Sequence, residues 1–474
     1  MKRTRTHMVI GTAAAMLLAS CDGTNVAGIQ GSGSPTPAAA TAGALGPIAG
    51  FGSIFVDGVE YSTSNAQISI DHQPGTEAQL HAGQVVTIKG SVNADGVTGT
   101  ATEVSFDGDV QGPVTQVDLT NNTAVVLGQT VRVTGSTLFD DSLQPGDLTS
   151  LQNGSLFVEV SGFSNGAGEI VASRVDLKSA GSNLQVKGAI QALNTTAHTF
   201  RINALTVDYS TSSTMPTLAN GSLVEVQGTT LASTGALVAT HVEVLQGLGT
   251  TVNQRLDIDG IITSFTSAMS FALQGQSVTT DANTQLVLHG VALGLNVEVD
   301  VQGTVNASGT LVAKKVEVRP QSLGLVRGLV DSVTAASNTV SVLGVTVTTS
   351  ASTELDDKSS QHVKLFRLTD LRAGDYVEIH GTEGQPGTLS ASTLQRDNTE
   401  NRSYLQGTAL NVASPSLTVL GVAVTTNAQT HFQGPGGTAS GAATFFGQAA
   451  SHIVTVRGSF AGGVLTADQA RIEQ

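Results

Sequence analysis

Apolar and polar residues alternate along short segments of this chain, and turn residues separate the segments. The stretch Leu223–Leu245 shows the pattern, because Val224 and Val226 alternate with Glu225 and Gln227 before a glycine-containing turn and a second alternating run. Successive side chains of a strand point to opposite faces, so a period of two predicts a hairpin with one apolar face. The pattern therefore predicts a β protein, and no segment has a convincing helical period.

Versions of this hairpin recur six times in the same order along the chain. In each version the first strand ends on a glycine, at Gly90, Gly162, Gly228, Gly303, Gly381 and Gly458. A strand around a glycine opens each unit, and a second hairpin follows it, as in VSVLGVTVTT at 340–349 and LTVLGVAVTT at 417–426. Each unit thus holds about five strands in roughly 60–75 residues, the size of the smallest independently folding domains.

Five short strands with one apolar face bury that face best by curling into a barrel, which also removes exposed edges. The expected fold class is all-β, with six tandem small antiparallel β-barrels of OB or SH3 type, each of about five strands. A continuous β-solenoid is the alternative, but insertions and hairpin turns at both ends of each unit favour separate barrels. The segment Leu365–Leu371 is a candidate for a single helical turn.

Polar and glycine-rich segments between the units set the expected boundaries. The chain divides into a lipoprotein signal peptide (1–20), a flexible tether (21–45) and β-repeats 1 to 6 (46–106, 107–180, 183–246, 255–319, 323–396 and 402–474). The tether is rich in Gly, Ser, Thr, Pro and Ala and lacks an apolar period, which is typical of flexible linkers. The opening strand of repeat 1 is expected around Pro47–Ile54.

The first twenty residues have the features of an export signal. A basic segment precedes the apolar run Met8–Leu18, which is shorter than the ~20 residues of a membrane helix. The motif Leu-Ala-Ser-Cys ending at Cys21 resembles the bacterial lipobox, and this resemblance implies cleavage before Cys21 and lipidation of its thiol. An ordinary secretory signal with an incidental cysteine is the alternative. Cys21 is the only cysteine, so lipidation leaves the mature chain without a thiol or a disulfide.

The repeats at 200–245 and 340–395 resemble an uncharacterised bacterial family, domain of unknown function 5666. The resemblance rests on the Leu-Gly-x-x-Val hairpin and on the strand pattern Gly-x-x-Val-x-Val-x-Gly. It covers most of Gly46–Gln474 and is weakest in repeats 1 and 2. It implies tandem β-repeats in an envelope lipoprotein, and it implies no activity.

The charge balance argues against a nucleic-acid partner. The chain has 22 Lys and Arg residues against 37 Asp and Glu residues, and removal of the signal leaves 19 basic residues. A weakly acidic surface does not attract phosphate backbones. Trp is absent and Tyr numbers only 4, so the aromatic rings on which bases and sugars stack are scarce. We expect no nucleic-acid partner, and a carbohydrate ligand is disfavoured on the same ground.

Motifs that carry chemistry are few. No Gly-x-Ser-x-Gly elbow, P-loop or His-Glu-x-x-His motif occurs, and the histidines are not spaced to share a ligand face. The acidic pairs Asp140-Asp141 and Asp356-Asp357 are candidate metal ligands, because adjacent loop carboxylates suit Ca²⁺. The Asp-x-Asp-x-Asp-Gly loop signature is absent, and solvated loop carboxylates are the alternative. No catalytic residue and no cofactor are expected.

The anchor, the tether and the repeats favour a non-enzymatic structural or interaction scaffold in the cell envelope, on the periplasmic face or the outer membrane. Its expected partners are the membrane, through the lipid on Cys21, and an envelope protein or polysaccharide. The alternative is an extracytoplasmic binding module for a small ligand, a cation or a glycan. If one repeat alone binds, we expect the fifth, because its insertion Ser350–Leu371 is the longest and carries basic residues.

Overall fold

The structure is a computed structural model that describes residues 40–473 except 51–52, 141, 144–146, 153–155, 215, 246, 249–250, 290, 320–322, 364–365 and 435–438. The predicted signal peptide, most of the predicted tether and Cys21 lie outside the described residues. Among the helices within the described ranges, none combines the length and the hydropathy needed to cross a membrane.

The first three repeats are built of strands and two short 3-10 helices. Repeat 1 contains β1 (Ala40–Pro47), β2 (Ile54–Val56), β3 (Val59–Ser62), β4 (Gln67–Ile70), β5 (Gln73–Pro74), a 3-10 helix (Glu77–Gln79), β6 (Val85–Val92) and β7 (Thr98–Phe106). Repeat 2 contains β8 (Val110–Asp118), β9 (Thr123–Val126), β10 (Gln129–Arg132), β11 (Leu138–Phe139), a 3-10 helix (Leu148–Gln152), β12 (Phe157–Ser164) and β13 (Ile170–Lys178). Repeat 3 contains β14 (Leu184–Ala189), β15 (Gln191–Asn194), β16 (Thr199–Ile202), β17 (Leu205–Asp208), β18 (Leu223–Leu231) and β19 (Leu237–Val244).

The last three repeats follow the same plan, with an α-helix in the sixth. Repeat 4 contains β20 (Arg255–Ser267), β21 (Ser270–Leu273), β22 (Gln276–Thr279), β23 (Gln285–Val287), β24 (Glu298–Val305) and β25 (Leu311–Val318). Repeat 5 contains β26 (Gly324–Thr334), a 3-10 helix (Ala335–Ser337), β27 (Thr339–Val342), β28 (Val345–Thr348), β29 (Glu354–Asp357), a 3-10 helix (Leu368–Asp370), β30 (Tyr376–Glu383) and β31 (Thr388–Asp397). Repeat 6 contains β32 (Ser403–Thr408), β33 (Leu410–Ala413), β34 (Ser416–Val419), β35 (Val422–Gln433), β36 (Ala439–Ser440), α1 (Ala442–Gln448), β37 (Ile453–Ala461) and β38 (Val464–Ile472).

Five strands of each repeat, which we call the main strands and number 1 to 5 in chain order, pair with one another in the same order. In repeat 4, β20 pairs with β21, β21 with β22, β22 with β25, β25 with β24, and β24 with β20, which closes the barrel. Repeats 2 and 5 close through the same five pairings. The order 1-2-3-5-4-1, with strands 3 and 5 parallel, is that of an OB-type barrel. The predicted class of tandem small five-stranded barrels is confirmed, and in the described residues these ladders close three of them. The parallel pairing of strands 3 and 5 recurs in all six repeats, and repeats 1, 2, 4 and 5 have a second parallel pairing; the antiparallel prediction included neither.

The recurring glycine lies at a β-bulge inside the fourth main strand of each barrel. The strand continues two or three residues beyond it, so the prediction that the strand ends there is wrong. The register of the ladder to the fifth strand shifts at this glycine in all six repeats. A Cβ atom there would lie only 2.0–2.4 Å from a main-chain carbonyl oxygen of the neighbouring strand. The recurring glycine therefore permits a close approach of two backbones, and the bulge bends the sheet into a barrel.

A second recurring glycine lies in the opening strand, and the leucine of the Leu-Gly hairpin turn packs against it. In repeats 2, 5 and 6 this leucine has a positive φ, between 46° and 52°. Its side chain lies 2.7–3.0 Å from where a Cβ of the glycine in the opening strand would be, in the pairs Gly112 and Leu127, Gly328 and Leu343, and Gly407 and Leu420. A left-handed conformation is unfavourable for leucine, and burial against the opening strand compensates for it.

The barrels join two by two through their opening strands. β8 of repeat 2 pairs antiparallel with β14 of repeat 3, and β26 of repeat 5 pairs antiparallel with β32 of repeat 6. β1 of repeat 1 pairs in parallel with β20 of repeat 4, although two repeats separate them in the chain. Three sheets, of 13, 12 and 13 strands, result.

This pairing corrects the expectation of separate barrels joined by linkers. The buried residues of repeats 2 and 3 form one hydrophobic cluster, and those of repeats 5 and 6 form another. Leu138 of repeat 2 belongs to the core of repeat 1. The individual barrels are present, and their sheets are shared in pairs because the opening strands have free edges that another barrel completes. The buried cores are shared in two of these pairs, whereas repeats 1 and 4 have separate clusters.

The start of repeat 1 differs from the prediction. Its opening strand is Ala40–Pro47, so the strand begins inside the expected tether and ends where it was expected to begin. Beyond it, Gly50 forms an isolated bridge with Phe55. Ala42 and Ala44 are buried, at 3% and 0% exposure, between flanking strands. This strand was missed because its side chains are small, and its position depends on backbone pairing to β6 on one edge and β20 on the other.

Apolar loop residues close the end of several barrels. In repeat 5 the insertion 350–371 buries Phe366, Leu368 and Leu371, and its 3-10 helix Leu368–Asp370 lies within the expected helical turn. In repeat 6 the helix α1 buries Phe445 in the same way. The sequence analysis did not predict α1, because seven residues are too few to display a helical period.

Candidate functional site: buried charged junctions between repeats

Polar strand residues that point away from a barrel core are often buried against another barrel. Glu159, Glu225 and Asp300 lie between valines on their strands and are 1%, 2% and 7% exposed. The alternation predicted that these side chains face outward, and they do, but the outward face meets a neighbouring repeat. Burial of a carboxylate requires a cation or a proton, so the junctions between repeats hold the unusual chemistry of this chain.

Arg319 forms the centre of the first junction, which we call the Arg319 junction. Its guanidinium binds the Asp259 carboxylate with two hydrogen bonds, of 2.6 and 2.8 Å. It also lies 3.5 Å from Asp57 of repeat 1 and 3.9 Å from Asp300. The Asp57 side chain is fully buried, and both of its oxygens lack a hydrogen-bond donor. One guanidinium is therefore the cationic partner of three carboxylates at the boundary of repeats 1 and 4.

Burial and the excess of carboxylates raise several pKa values at the Arg319 junction. Burial and the nearby charge of Asp259 raise the pKa of Asp300 to about 7. Burial also raises the pKa of Glu298 to about 7 and raises the pKa of Asp57 well above its ordinary value. Glu354 of repeat 5 faces the same group, and burial raises its pKa strongly. At neutral pH the junction therefore holds protons as well as charge.

The second junction, which we call the His72 junction, brings together repeats 1, 2 and 3. His72 lies in the turn between β4 and β5 with φ of 59°, and its Nε2 is 2.5 Å from Oε1 of Glu225 on β18. Asp107, between β7 and β8, accepts a hydrogen bond of 3.0 Å from the His72 backbone N–H, and its Oδ1 is 3.5 Å from Nε2. The three ligand atoms lie within 4.8 Å of one another.

Two neighbours complete the His72 junction. Gln227 donates a 3.1 Å hydrogen bond to Oε1 of Glu225. Lys187 lies 4.0 Å from the other oxygen of Glu225 and donates to the backbone carbonyl of Asp107 at 2.6 Å. The hydrogen bond to Glu225 raises the pKa of His72 to about 9, despite its partial burial. A histidine and two carboxylates from three parts of the chain are thus fixed in one place.

The acidic pairs singled out from the sequence stay candidate metal ligands, and hydrogen bonds within the protein hold the three members that lie in the described residues. Asp357 is bound by both Nε and Nη2 of Arg396, at 3.0 and 2.5 Å, and is buried. Asp356 accepts a hydrogen bond from the backbone N–H of its neighbour, and Asp140 accepts bonds from Ser142. Asp141 lies outside the described residues. Hydrogen bonds within the protein occupy these carboxylates.

Two of these aspartates nevertheless lie near the same arginine. Asp140 of repeat 2 and Asp356 of repeat 5 both act on the buried Arg174, whose pKa they and Asp176 hold above its ordinary value against the effect of burial. Arg174 binds Asp176 at 2.6 Å and donates to the carbonyl of Ala82 in repeat 1 at 3.1 Å. One aspartate from each acidic pair thus contributes to a third junction, which has Arg174 at its centre.

Part of the basic insertion of repeat 5 has a structural role. Phe366 and Leu368 bury the insertion in the barrel, and Arg372 donates hydrogen bonds to carbonyl oxygens within it. Arg367 is exposed, and Lys364 lies outside the described residues. A surface hollow of about 220 Å³ lies elsewhere, on repeat 6, and is lined by polar residues that include Arg402, Asn427, Gln429 and Asp468.

Sequence reasoning did not find His72, Asp107, Glu225 or Arg319. His72 and Glu225 are 153 residues apart, and only the pairing of distant barrels brings them together. One signal in the sequence was the charged residue that stands between two valines in several strands. If another barrel covers such a residue, its charge must be paired or neutralised, because burial of an unpaired charge is costly. The alternation alone does not reveal which outward faces are covered.

Six OB-type barrels, joined through opening strands and through buried ion pairs, define a tandem small-barrel protein. Residues 44–105, 111–176, 181–243, 259–317, 327–395 and 406–471 match the family described as domain of unknown function, DUF5666. These matches cover well over half of the chain, and the chain belongs to this family. The resemblance proposed from the sequence is confirmed for all six repeats, including the first two.

Other comparisons add little. Among curated proteins, none matches this chain. A solved structure described as Drosophila Unr CSD456 is similar over 45% of this chain and 97% of its own length, with 13% identity and a TM-score of 0.12. At that TM-score the likeness carries no argument, and the OB-type assignment rests on the strand pairings above.

Proposed function

We propose that this protein is a lipid-anchored, non-enzymatic scaffold of the bacterial cell envelope that presents its barrel surfaces to a partner. The observation that carries the proposal is the way the barrels are joined. Opening strands pair across repeats, and buried ion pairs such as Arg319 of repeat 4 with Asp57 of repeat 1 link them further. Such joints hold surfaces at fixed spacing, which suits a scaffold more than a set of independently moving domains.

The anchoring part of the proposal rests on the lipobox-like motif at Cys21. In the native bacterium we expect the wild-type chain in the membrane fraction and labelled by a radioactive fatty acid. Cys21→Ser removes the acceptor thiol, so the label is lost and the chain moves to the soluble fraction. Ser32→Ala, in the expected tether, is the matched control and leaves both unchanged. A Cys21→Ser chain that stays in the membrane fraction would refute the anchor.

The scaffold part requires a partner at a defined surface. A photo-cross-linking amino acid placed at the exposed Met269, 66% exposed at the tip of the β20–β21 hairpin, tests one face in living cells. The exposed Val97 of repeat 1 tests a second face. We expect a discrete adduct with one envelope component at one position and none at the other. The absence of any adduct at these and other exposed positions on every repeat would overturn the proposal.

A second candidate function is cation binding, and one observation favours it. His72, Asp107 and Glu225 place one nitrogen and two carboxylate ligands within mutual reach. This corresponds to the binding-module alternative, with the site between repeats and not inside one of them.

A further inference from the structure

We propose that His72, Asp107 and Glu225 bind a divalent transition-metal ion such as Zn²⁺ at the junction of repeats 1, 2 and 3. This inference deepens the cation-binding candidate and is independent of the scaffold proposal, which the cross-linking experiment tests. One imidazole nitrogen and two carboxylate oxygens form a ligand set that Zn²⁺ accepts, with a fourth position left for water.

The two distances from the imidazole suit such an ion after a small movement, and the two carboxylates lie within 4.8 Å of each other. Bonds of about 2.0–2.1 Å in a tetrahedral site place two ligand atoms about 3.3 Å apart. Nε2 of His72 and Oδ1 of Asp107 are already 3.5 Å apart. Nε2 and Oε1 of Glu225 are 2.5 Å apart, joined by a hydrogen bond. The metal ion replaces the proton of that bond, and the two atoms separate by less than 1 Å.

The ligands are held by contacts that do not depend on a metal. The backbone N–H of His72 donates to Asp107, so the turn that carries the imidazole is fixed against one of the carboxylates. Gln227 orients Glu225 through Oε1, and Glu225 lies on a central strand with 2% exposure. Ligands oriented by their neighbours lose little freedom when a metal ion binds.

The charge around the site favours a cation. The charged groups that act on His72 are three carboxylates, of Glu225, Asp107 and Glu243. Lys187 competes for one oxygen of Glu225, but at 4.0 Å it makes no hydrogen bond to it. The remaining negative charge stabilises a divalent ion in a partly buried place, where charge interactions are stronger than in water.

A bound ion would connect repeat 1 directly to repeat 3. His72 belongs to repeat 1, Glu225 belongs to repeat 3, and Asp107 lies where repeat 1 meets repeat 2. A ligand that binds the assembled state and not the separated repeats stabilises the assembled state by mass action. We therefore expect Zn²⁺ to raise the temperature at which the contact between repeats 1 and 3 opens.

The test is a Zn²⁺ titration of the tag-free full chain after treatment with a chelator, followed by calorimetry. His72→Asn removes the nitrogen ligand and keeps a residue that tolerates positive φ. His289→Asn is the matched control, because His289 also has a positive φ, of 45°, and pairs with Glu317 at 2.9 Å without a third ligand. We expect one Zn²⁺ per chain, at least tenfold weaker binding in His72→Asn, and unchanged binding in His289→Asn.

Co²⁺ absorption gives a second readout, since the visible bands of a four-coordinate site should appear in the wild type and be absent from His72→Asn. If the circular dichroism of His72→Asn shows misfolding, Asp107→Asn is used in its place and the same tenfold loss is expected. Absence of saturable Zn²⁺ binding in the wild type would overturn the inference. So would equal affinity in the folded His72→Asn or Asp107→Asn variant.

Discussion

The bulge glycines offer the sharpest test of how the barrels close, and Gly458 of repeat 6 is the clearest example. A Cβ at Gly458 would lie 2.0 Å from the carbonyl oxygen of Thr466, 2.8 Å from its carbonyl carbon and 2.9 Å from Cα of Ala467. Ordinary contacts of this kind are 3.4 Å or more. Gly458→Ala therefore forces β37 and β38 apart by more than about 1 Å, and no side-chain rotation relieves a clash with backbone atoms.

The magnitude follows from two costs. Overpacking a tight site costs about 1–3 kcal/mol or more. Separation of the two strands also weakens ladder hydrogen bonds beside the bulge, at about 1 kcal/mol each. We expect a total of about 3–5 kcal/mol for Gly458→Ala, which corresponds to at least a hundredfold loss of protection against amide hydrogen exchange in β37 and β38.

Gly447→Ala is the matched control in the same repeat. Gly447 lies in α1, and nothing lies within 4 Å of the position of its Cβ. Alanine is a better helix former than glycine by about 0.5–1 kcal/mol, so this variant should be neutral or stabilising. Hydrogen-exchange mass spectrometry of the full chain distinguishes the two. If Gly458→Ala keeps wild-type protection in β37 and β38, the close approach of the strands is not what the recurring glycine permits.

Two further predictions concern the Arg319 junction. Arg319→Met leaves Asp259 and Asp300 without their cation and should lower the free energy of unfolding by about 3–5 kcal/mol, whereas Lys89→Met, which breaks the exposed pair with Glu103, should cost less than about 1 kcal/mol in the same guanidinium titration. Equal losses would contradict the central position of Arg319. The second prediction concerns pH. Because the pKa of Asp300 is raised to about 7, the folded state holds a proton that the unfolded chain releases near pH 4. Its stabilising contribution is complete below about pH 4 and is lost as the pH rises to about 7, by up to about 1.4 kcal/mol per pH unit. Asp300→Asn should lower this slope by the share of one group in a series of denaturation midpoints between pH 4.5 and 7.5, and the share of Glu298, whose pKa is also raised to about 7, should remain. An unchanged slope would show that Asp300 does not titrate there.

The sequence predicted the repeat unit well because each barrel is specified locally. The alternation of Val224 and Val226 with polar residues, and the recurring glycine within each fourth strand, are short-range signals of strand and bulge. The six barrels and their order along the chain could be read from these signals.

The relation between repeats could not be read in this way. β1 pairs with β20 through backbone groups, and its small buried side chains, Ala42 and Ala44, give no apolar signal. His72 meets Glu225 only because distant barrels pack together, so neither residue is exceptional within its own repeat. The acidic pair at Asp356 was noticed for its composition, and the structure shows it next to the arginines that neutralise it. Side-chain chemistry at the junctions depends on tertiary contacts that no local pattern encodes.

The parallel pairing of β1 with β20 has a kinetic consequence. More than two hundred residues must be synthesised after β1 before its second neighbour exists, while the pairs formed by repeats 2 and 3 and by repeats 5 and 6 need only adjacent sequence. Contacts between distant parts of a chain form slowly because closing a long loop costs entropy. Repeat 1 therefore keeps one edge of its opening strand unpaired until the fourth barrel has been synthesised and reaches it.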